Sequence, residues 1–258
     1  MEAVIVPINS TEKLDILFRV LSVKLPFMEE ERVSKLMARR GLCSRREAER
    51  YMAEGRVRVN GILITEQGTK VPINSKIEFD SKALQRVTVA LHKPLGIMSN
   101  LPQKGYREAR ELITPENRYD KGDPIDPMSL HVVGRLDINS KGLLLLSSDG
   151  RIAKTIIGCD SEVEKEYIVR FEHPISDRAM EKLRFGLKLD GEPLKRAEVN
   201  RSGDRAISLV LREGKNRQIR RMCELVGLEV TSLKRVRIGN IQLGSLPVGQ
   251  WMVVSYKE

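Results

Sequence analysis

The chain has 258 residues, 41% hydrophobic and 31% charged, enough for two domains with separate cores, and no apolar run approaches the roughly 20 residues that span a bilayer. The first 28 residues include Glu2, Glu12 and Asp15 and lack the opening of a signal peptide, while Cys43, Cys159, Cys223, His92, His131 and His173 fall in no disulfide or metal-ligand spacing. The net charge of +10 resides in two segments, 31–60 and 212–237, each about +5, which favours a polyanion, nucleic acid before membrane.

These properties describe a protein of a reducing compartment with no structural metal; the chain is expected to be monomeric, without a cofactor, and cytoplasmic, or in an organelle stroma or matrix if the host is a eukaryote. Eleven aromatics in all disfavour a single-strand binder built on rows of stacked bases. Residues 1–30 form an N-terminal extension without an assigned function, although Leu14, Leu17, Phe18 and Leu21 have helical spacing.

From Glu31 the pattern is a helix with Val33, Leu36 and Met37 inward, stopped at Gly41. A Ser44–Glu47 capping box opens a second helix that buries Ala48, Tyr51 and Met52. Residues 56–59 alternate like a strand, Asn60-Gly61 is a hairpin turn, and 62–64 return. Lys35, Arg39, Arg40, Arg45, Arg46 and Arg50 cluster around the turn between the helices, where phosphates could meet them. The segment 31–80 resembles the alpha-L RNA-binding motif of the ribosomal protein S-four superfamily, most specifically at residues 43–48 and 59–61. The resemblance implies RNA as partner.

Residues 81–86 read as a linker to a second domain, 87–258, which opens with a strand at 87–91. His92-Lys93-Pro94-Leu95-Gly96 follows, a turn expected to pack behind the loop described next, and 113–130 is a Pro-rich surface loop. Between Val132-Val133 and the apolar run Leu143–Leu146 lies a short loop carrying Arg135 and the single carboxylate Asp137. Calcium is rejected, because Lys141 and Ser148 stand where an oxygen ligand and a bidentate Glu are needed. An Asx-turn is the commoner role for such an Asp, and the loop alone does not decide against it.

Helices are expected at 151–157 and 176–183, and strands at 165–169 and 205–211. Ile219, Met222, Cys223 and Val226 give a final amphipathic helix that Gly227 stops, with Arg217, Arg220 and Arg221 on its other side or flank. Such a basic helix is equally a solvated face or a phosphate binder.

Gly134-Arg135-Leu136-Asp137 with Ser140, Gly142 and Asp149-Gly150 resembles the signature loop of the pseudouridine synthases, in the branch that modifies ribosomal RNA. Residues 92–96 resemble that family's first motif, although His92 stands where Asn is usual. Lys165-Glu166-Tyr167 and 213–222 resemble its second and third, and the likeness covers about 31–256. It implies Asp137 as catalytic residue, Tyr167 stacking on the target base and serving in proton transfer, and Lys215 as the cation paired with Asp137, with Arg220 as second choice. It also implies an α+β fold whose mixed, mainly antiparallel sheet has two halves and a central cleft, a large-subunit ribosomal RNA or assembly intermediate as partner, and Arg135, Arg217, Arg220 and Arg221 on the RNA. Periodicity alone gives an α+β domain. The alternatives are a non-catalytic ribosome-assembly factor on this scaffold and, more weakly, an RNA methyltransferase, for which the chain lacks a Gly-rich nucleotide loop.

Overall fold

A computed structural model describes residues 29–79, 86–100, 105–158 and 160–256. The helix expected near 14–21, residues 81–85 of the linker and Cys159 lie outside the described residues. Two compact units divide between residues 82 and 83.

The first unit runs β1 (Glu30–Arg32), α1 (Val33–Arg39), α2 (Arg45–Ala53), β2 (Val57–Val59), β3 (Ile62–Leu63), β4 (Lys70–Pro72) and β5 (Ile77–Phe79). Ser44 Oγ accepts from the Glu47 amide at 3.2 Å, and the Glu47 carboxylate accepts from the Ser44 amide at 2.6 Å. This reciprocal cap contributes about 1 kcal/mol to α2. Asn60 (φ 49°) and Gly61 (φ 81°) make the β2–β3 turn, with positive φ at both positions as a type I′ hairpin requires. Val33, Leu36, Met37, Ala48, Tyr51 and Met52 are fully buried, as their helical spacing predicts. The pattern did not reveal β1, β4 and β5. β1 pairs with β4, and β5 completes a sheet of order β3-β2-β5; at three residues each they are too short to show a period.

The second unit contains β6 (Thr88–Lys93), β7 (His131–Val133), β8 (Lys141–Ser147), α3 (Gly150–Ile157), β9 (Lys165–Phe171), α4 (Asp177–Arg184), β10 (Lys188–Leu189), β11 (Glu192–Pro193), β12 (Glu198–Gly203), β13 (Ala206–Leu211), α5 (Gln218–Leu225), β14 (Val230–Ile238), β15 (Ile241–Gln242) and β16 (Trp251–Val253). One sheet of order β12-β13-β9-β14-β8-β6-β16 dominates, with β7 paired to β8 and β15 to β14. Its pairings are antiparallel except β14 with β8. That parallel pair, Lys234 opposite Lys141 and Arg235 opposite Gly142, joins two antiparallel halves. The expected fold class is thereby found.

β8 shows why a leucine run suits this place. Strand side chains alternate, and a central strand is apolar on both faces. Leu144 and Leu146 join a cluster with Val89, Leu91 and Trp251, and Leu143 and Leu145 join another with Ile156 and Ile238. All four leucines are fully buried, which stabilises the junction strand by about 1.5–3 kcal/mol each. A third cluster packs α4 and α5 against β9, β12 and β13.

One expectation is corrected, and the surface loop at 113–130 is found to hold local structure of its own. β6 continues through Lys93, so the strand enters the supposed turn and buries the lysine completely. The 113–130 stretch carries two short 3-10 turns, Pro115–Asn117 and Pro127–Ser129. Trp251 anchors it, its indole N–H donating to Thr114 O at 2.8 Å with the Arg118 guanidinium 5.0 Å from its ring centroid.

Candidate active site

The loop at 134–140 leads into the start of β8, where Gly142 pairs with β14 on one side and β6 on the other. Its conformation is fixed on both sides of Asp137. Ser99, outside the loop, accepts from the Leu136 amide at 2.9 Å and donates to the Leu136 carbonyl at 2.7 Å. The Gly96 amide donates to Ile138 O at 2.9 Å, and the Ser140 amide to Asp137 O at 3.0 Å. The end of the 92–96 turn, at Gly96, thus packs against the loop as expected, and Ser99 beyond it does so too. His92 is occupied elsewhere, its Nδ1 hydrogen-bonded to Leu246 O at 2.7 Å.

Arg235, 2% exposed, ties the loop to the other half of the sheet. Its guanidinium donates to Leu143 O at 2.8 Å, Gly134 O at 2.8 Å and Arg135 O at 3.4 Å. An irregular register between Arg235 and Arg237 sets Arg235 opposite Tyr167 and Arg237 opposite Glu166. This bulge turns two arginines of one strand to opposite faces. Arg237 binds Glu164 and Glu166, leaving Arg235 for the loop. Lys93 is the second buried cation behind Asp137, with its ammonium donating to Pro94 O at 2.9 Å and Ile97 O at 2.7 Å. Burial pushes its pKa down to about 8, against the opposing pull of Asp137.

In front of the loop is a cleft of about 770 Å³ lined by Asp137, Tyr167, Arg135, Lys215, Arg217 and Arg220 among others; among the described residues its lining has eight lysines and arginines against two acids. Tyr167 projects from β9, half-buried, touching two of the three cores. Among the described residues Asp137 makes its ion pair with Arg217, whose Nη1 lies 3.9 Å from Asp137 Oδ2 and 3.4 Å from Asn139 Oδ1. Arg217 heads α5 in the left-handed region (φ 47°, ψ 31°), the turn that carries its side chain across to the loop. Arg220, one turn on, donates to Asn139 O at 2.8 Å. Burial lowers its pKa, with the Arg217 charge adding to the effect and Asp137 opposing it.

This geometry corrects the pairing expected for Lys215. Its amide donates to the Gln218 side chain at 2.9 Å, its charge acts on Asp190, and among the described residues it makes no ion pair with Asp137. Arg221 is also placed differently. It grips Asp190 with both nitrogens and does not line the cleft. Ser99 and Arg235 escaped the sequence reading: a lone Ser after a turn and an Arg in an alternating strand carry no local signal.

In the first unit, Arg45 and Arg46 are exposed on the opening turn of α2. The other four basic residues expected around that turn have protein partners. Lys35 and Arg39 share Glu31, Arg40 donates to Ser75 O and Ile73 O at 2.7 and 2.6 Å, and Arg50 pairs with Glu54 beside the Tyr51 ring.

Residues 87–225 match the family described as RNA pseudouridylate synthase, and residues 31–77 match the S4 domain. A dual-specificity RNA pseudouridine synthase RluF of Escherichia coli (strain K12) is 34% identical over 225 residues, 85% of this chain and 74% of that protein. A ribosomal large subunit pseudouridine synthase B of Pasteurella multocida (strain Pm70) is 35% identical over 243 residues, 89% of this chain and 68% of that protein. A crystal structure of a pseudouridylate synthase superposes with a TM-score of 0.63 at 24% identity, covering 87% of this chain and 96% of its own, a likeness of fold. The chain belongs to the RNA pseudouridine synthase family and carries an S4 domain ahead of the synthase domain.

Proposed function

We propose that this protein isomerises a uridine of ribosomal RNA to pseudouridine, with the large subunit as substrate and Asp137 as the catalytic carboxylate. The observation that carries the reading is Asp137 itself: one carboxylate, a third exposed, held from both sides at the mouth of a basic cleft that also presents Tyr167. Of the two relatives, one is named for RNA without further detail and the other for the ribosomal large subunit, and the second name favours large-subunit ribosomal RNA.

The reaction breaks the bond from ribose C1′ to uracil N1 and forms one from C1′ to C5. N1 gains a proton, C5 loses one, and no electrons are exchanged. A carboxylate near C1′ can attack or stabilise positive charge there, as in glycoside chemistry, or act as a base toward a ribose proton. Arg217, in place of Lys215, is the cation paired with Asp137 in the cleft. Tyr167 takes the base, which must leave its helical stack at a cost of a few kcal/mol. Arg135, Arg220 and Lys215 face the RNA in the same cleft, and Arg45 and Arg46 contact phosphates from the S4 domain. The site of action we propose is the cytoplasm.

The test is release of tritium from uracil C5 in transcripts of both ribosomal subunits, folded or as assembly intermediates, and in a non-ribosomal RNA. Release from the large-subunit substrate supports the reading. Release only from another RNA overturns the substrate assignment, and none from any of them overturns the activity.

A further inference from the structure

We propose that Lys165 is an anion-binding residue of the cleft, receiving a phosphodiester oxygen of the target nucleotide; this rests on the reading of the cleft as a uridine-isomerising site. Side chains alternate along a strand, so Lys165, Tyr167, Val169 and Phe171 share one face of β9. Val169 and Phe171 belong to the core, and Tyr167 and Lys165 continue that face into the cleft.

Lys165 is 8% exposed, a state lysines rarely occupy unless paired. Its ammonium donates to Val163 O at 3.0 Å and makes no ion pair among the described residues. Three neighbouring cations of the cleft do: Lys195 with Glu162, Arg212 with Glu164 and Glu198, and Arg217 with Asp137. Glu162 acts on Lys165 only at a distance, and Arg235 and Lys195 oppose it. Burial is the main cause that pushes the lysine's pKa down. An ammonium has three donors, and one is used here.

Lys93 is a useful contrast, because it is fully buried but spends two donors on carbonyls and does not line the cleft. A buried cation with open donors is costly until an anion joins it. RNA brings one negative charge per nucleotide. Lys165 stands two residues, about 7 Å, along the strand from Tyr167, so a nucleotide whose base lies on Tyr167 brings its own phosphodiester to the neighbourhood of Lys165. A base carbonyl could accept a hydrogen bond there but would leave the charge uncompensated.

The experiment compares the full chain with Lys165→Met and Lys165→Arg. It measures the affinity for a large-subunit ribosomal RNA transcript against salt, the KM and kcat of tritium release, and thermal unfolding. One phosphate contact contributes about 0.7–0.9 to the log-log salt slope. We expect Lys165→Met to flatten the slope by that amount and to raise KM about tenfold, the larger effect falling on KM and not on kcat. Lys165→Arg should restore the slope, and Lys165→Met should melt no lower than wild type, because an apolar replacement needs no counter-ion.

An unchanged slope overturns the proposal. With a raised KM it would signify an uncharged contact, and with a lowered melting temperature a structural lysine. If the wild type releases no tritium from any RNA while the slope still depends on Lys165, the isomerase reading fails and the anion site stands.

Discussion

Gly142→Ala is the substitution that most directly loads the junction between the two half-sheets. A Cβ there would lie 2.2 Å from the Arg235 carbonyl oxygen and 2.7 Å from its amide nitrogen, at a φ of +109°. Both atoms are backbone, so neither can rotate away. A non-glycine residue at positive φ costs about 1–2 kcal/mol, and forced overlap in a packed sheet adds about 1–3 kcal/mol. The total is roughly 2–5 kcal/mol, and for a domain of this size each kcal/mol lowers Tm by about 2–4 °C. The control is Gly186→Ala, where φ is +93° with nothing within 4 Å of the new Cβ, so that only the conformational part remains. Circular dichroism melts of both variants isolate the overlap. Because the widened junction also shifts Arg235 away from Gly134 O and Leu143 O, tritium release by Gly142→Ala should fall at least about tenfold below its Tm. If the two variants melt within 2 °C of each other, about the effect of 1 kcal/mol, and turn over equally, the junction is not the rigid support described above.

Other outcomes follow from the same geometry. Arg217→Met should lower kcat about 10- to 100-fold, the equivalent of roughly 1.4–2.7 kcal/mol, and Lys215→Met less than about fivefold; steady-state kinetics showing the reverse order would return the ion pair to Lys215. Lys93 has a folded pKa of about 8 against an ordinary 10.5, so between those values the unfolded chain holds a proton that the folded chain has released. Stability therefore rises with pH across that window and is lower beneath it. A neutral amine keeps two N–H donors for Pro94 O and Ile97 O, so deprotonation breaks neither bond. Denaturant titrations from pH 7 to 11 should show the rise in wild type and a flatter curve in Lys93→Met; parallel curves would contradict the assignment. Replacing Arg45 and Arg46 together by Met should flatten the salt slope of RNA binding by about 1.4–1.8, whereas Arg40→Met should act mainly on the melting of the S4 domain; equal salt effects would refute that division.

What could be read from the sequence was whatever the chain states locally. The capping box at Ser44, the Asn60-Gly61 turn, the two-faced leucine run and the spacing from Ile219 to Val226 each specify a conformation within a few residues, and each element formed where expected. Asp137 and Tyr167, which line one cleft, were singled out by family resemblance alone, since nothing local distinguishes Asp137 from a turn-forming Asp. The identity of its cation was not legible, because it depends on one left-handed residue at the head of α5 that carries Arg217 across to Asn139. Lys93, Lys165 and Arg235 were hidden for another reason. Charged residues belong on the surface by default, and only the assembled sheet shows that these three lie 0%, 8% and 2% exposed around the site.

The most direct test of the account compares wild type with Asp137→Ala on large-subunit ribosomal RNA tritiated at uracil C5, measuring release and binding on the same preparations. Forming the new C–C bond must expel that hydrogen. Stoichiometric release by wild type, none by the variant and equal RNA affinity for both is the predicted result. Release by Asp137→Ala at the wild-type rate would contradict the central claim.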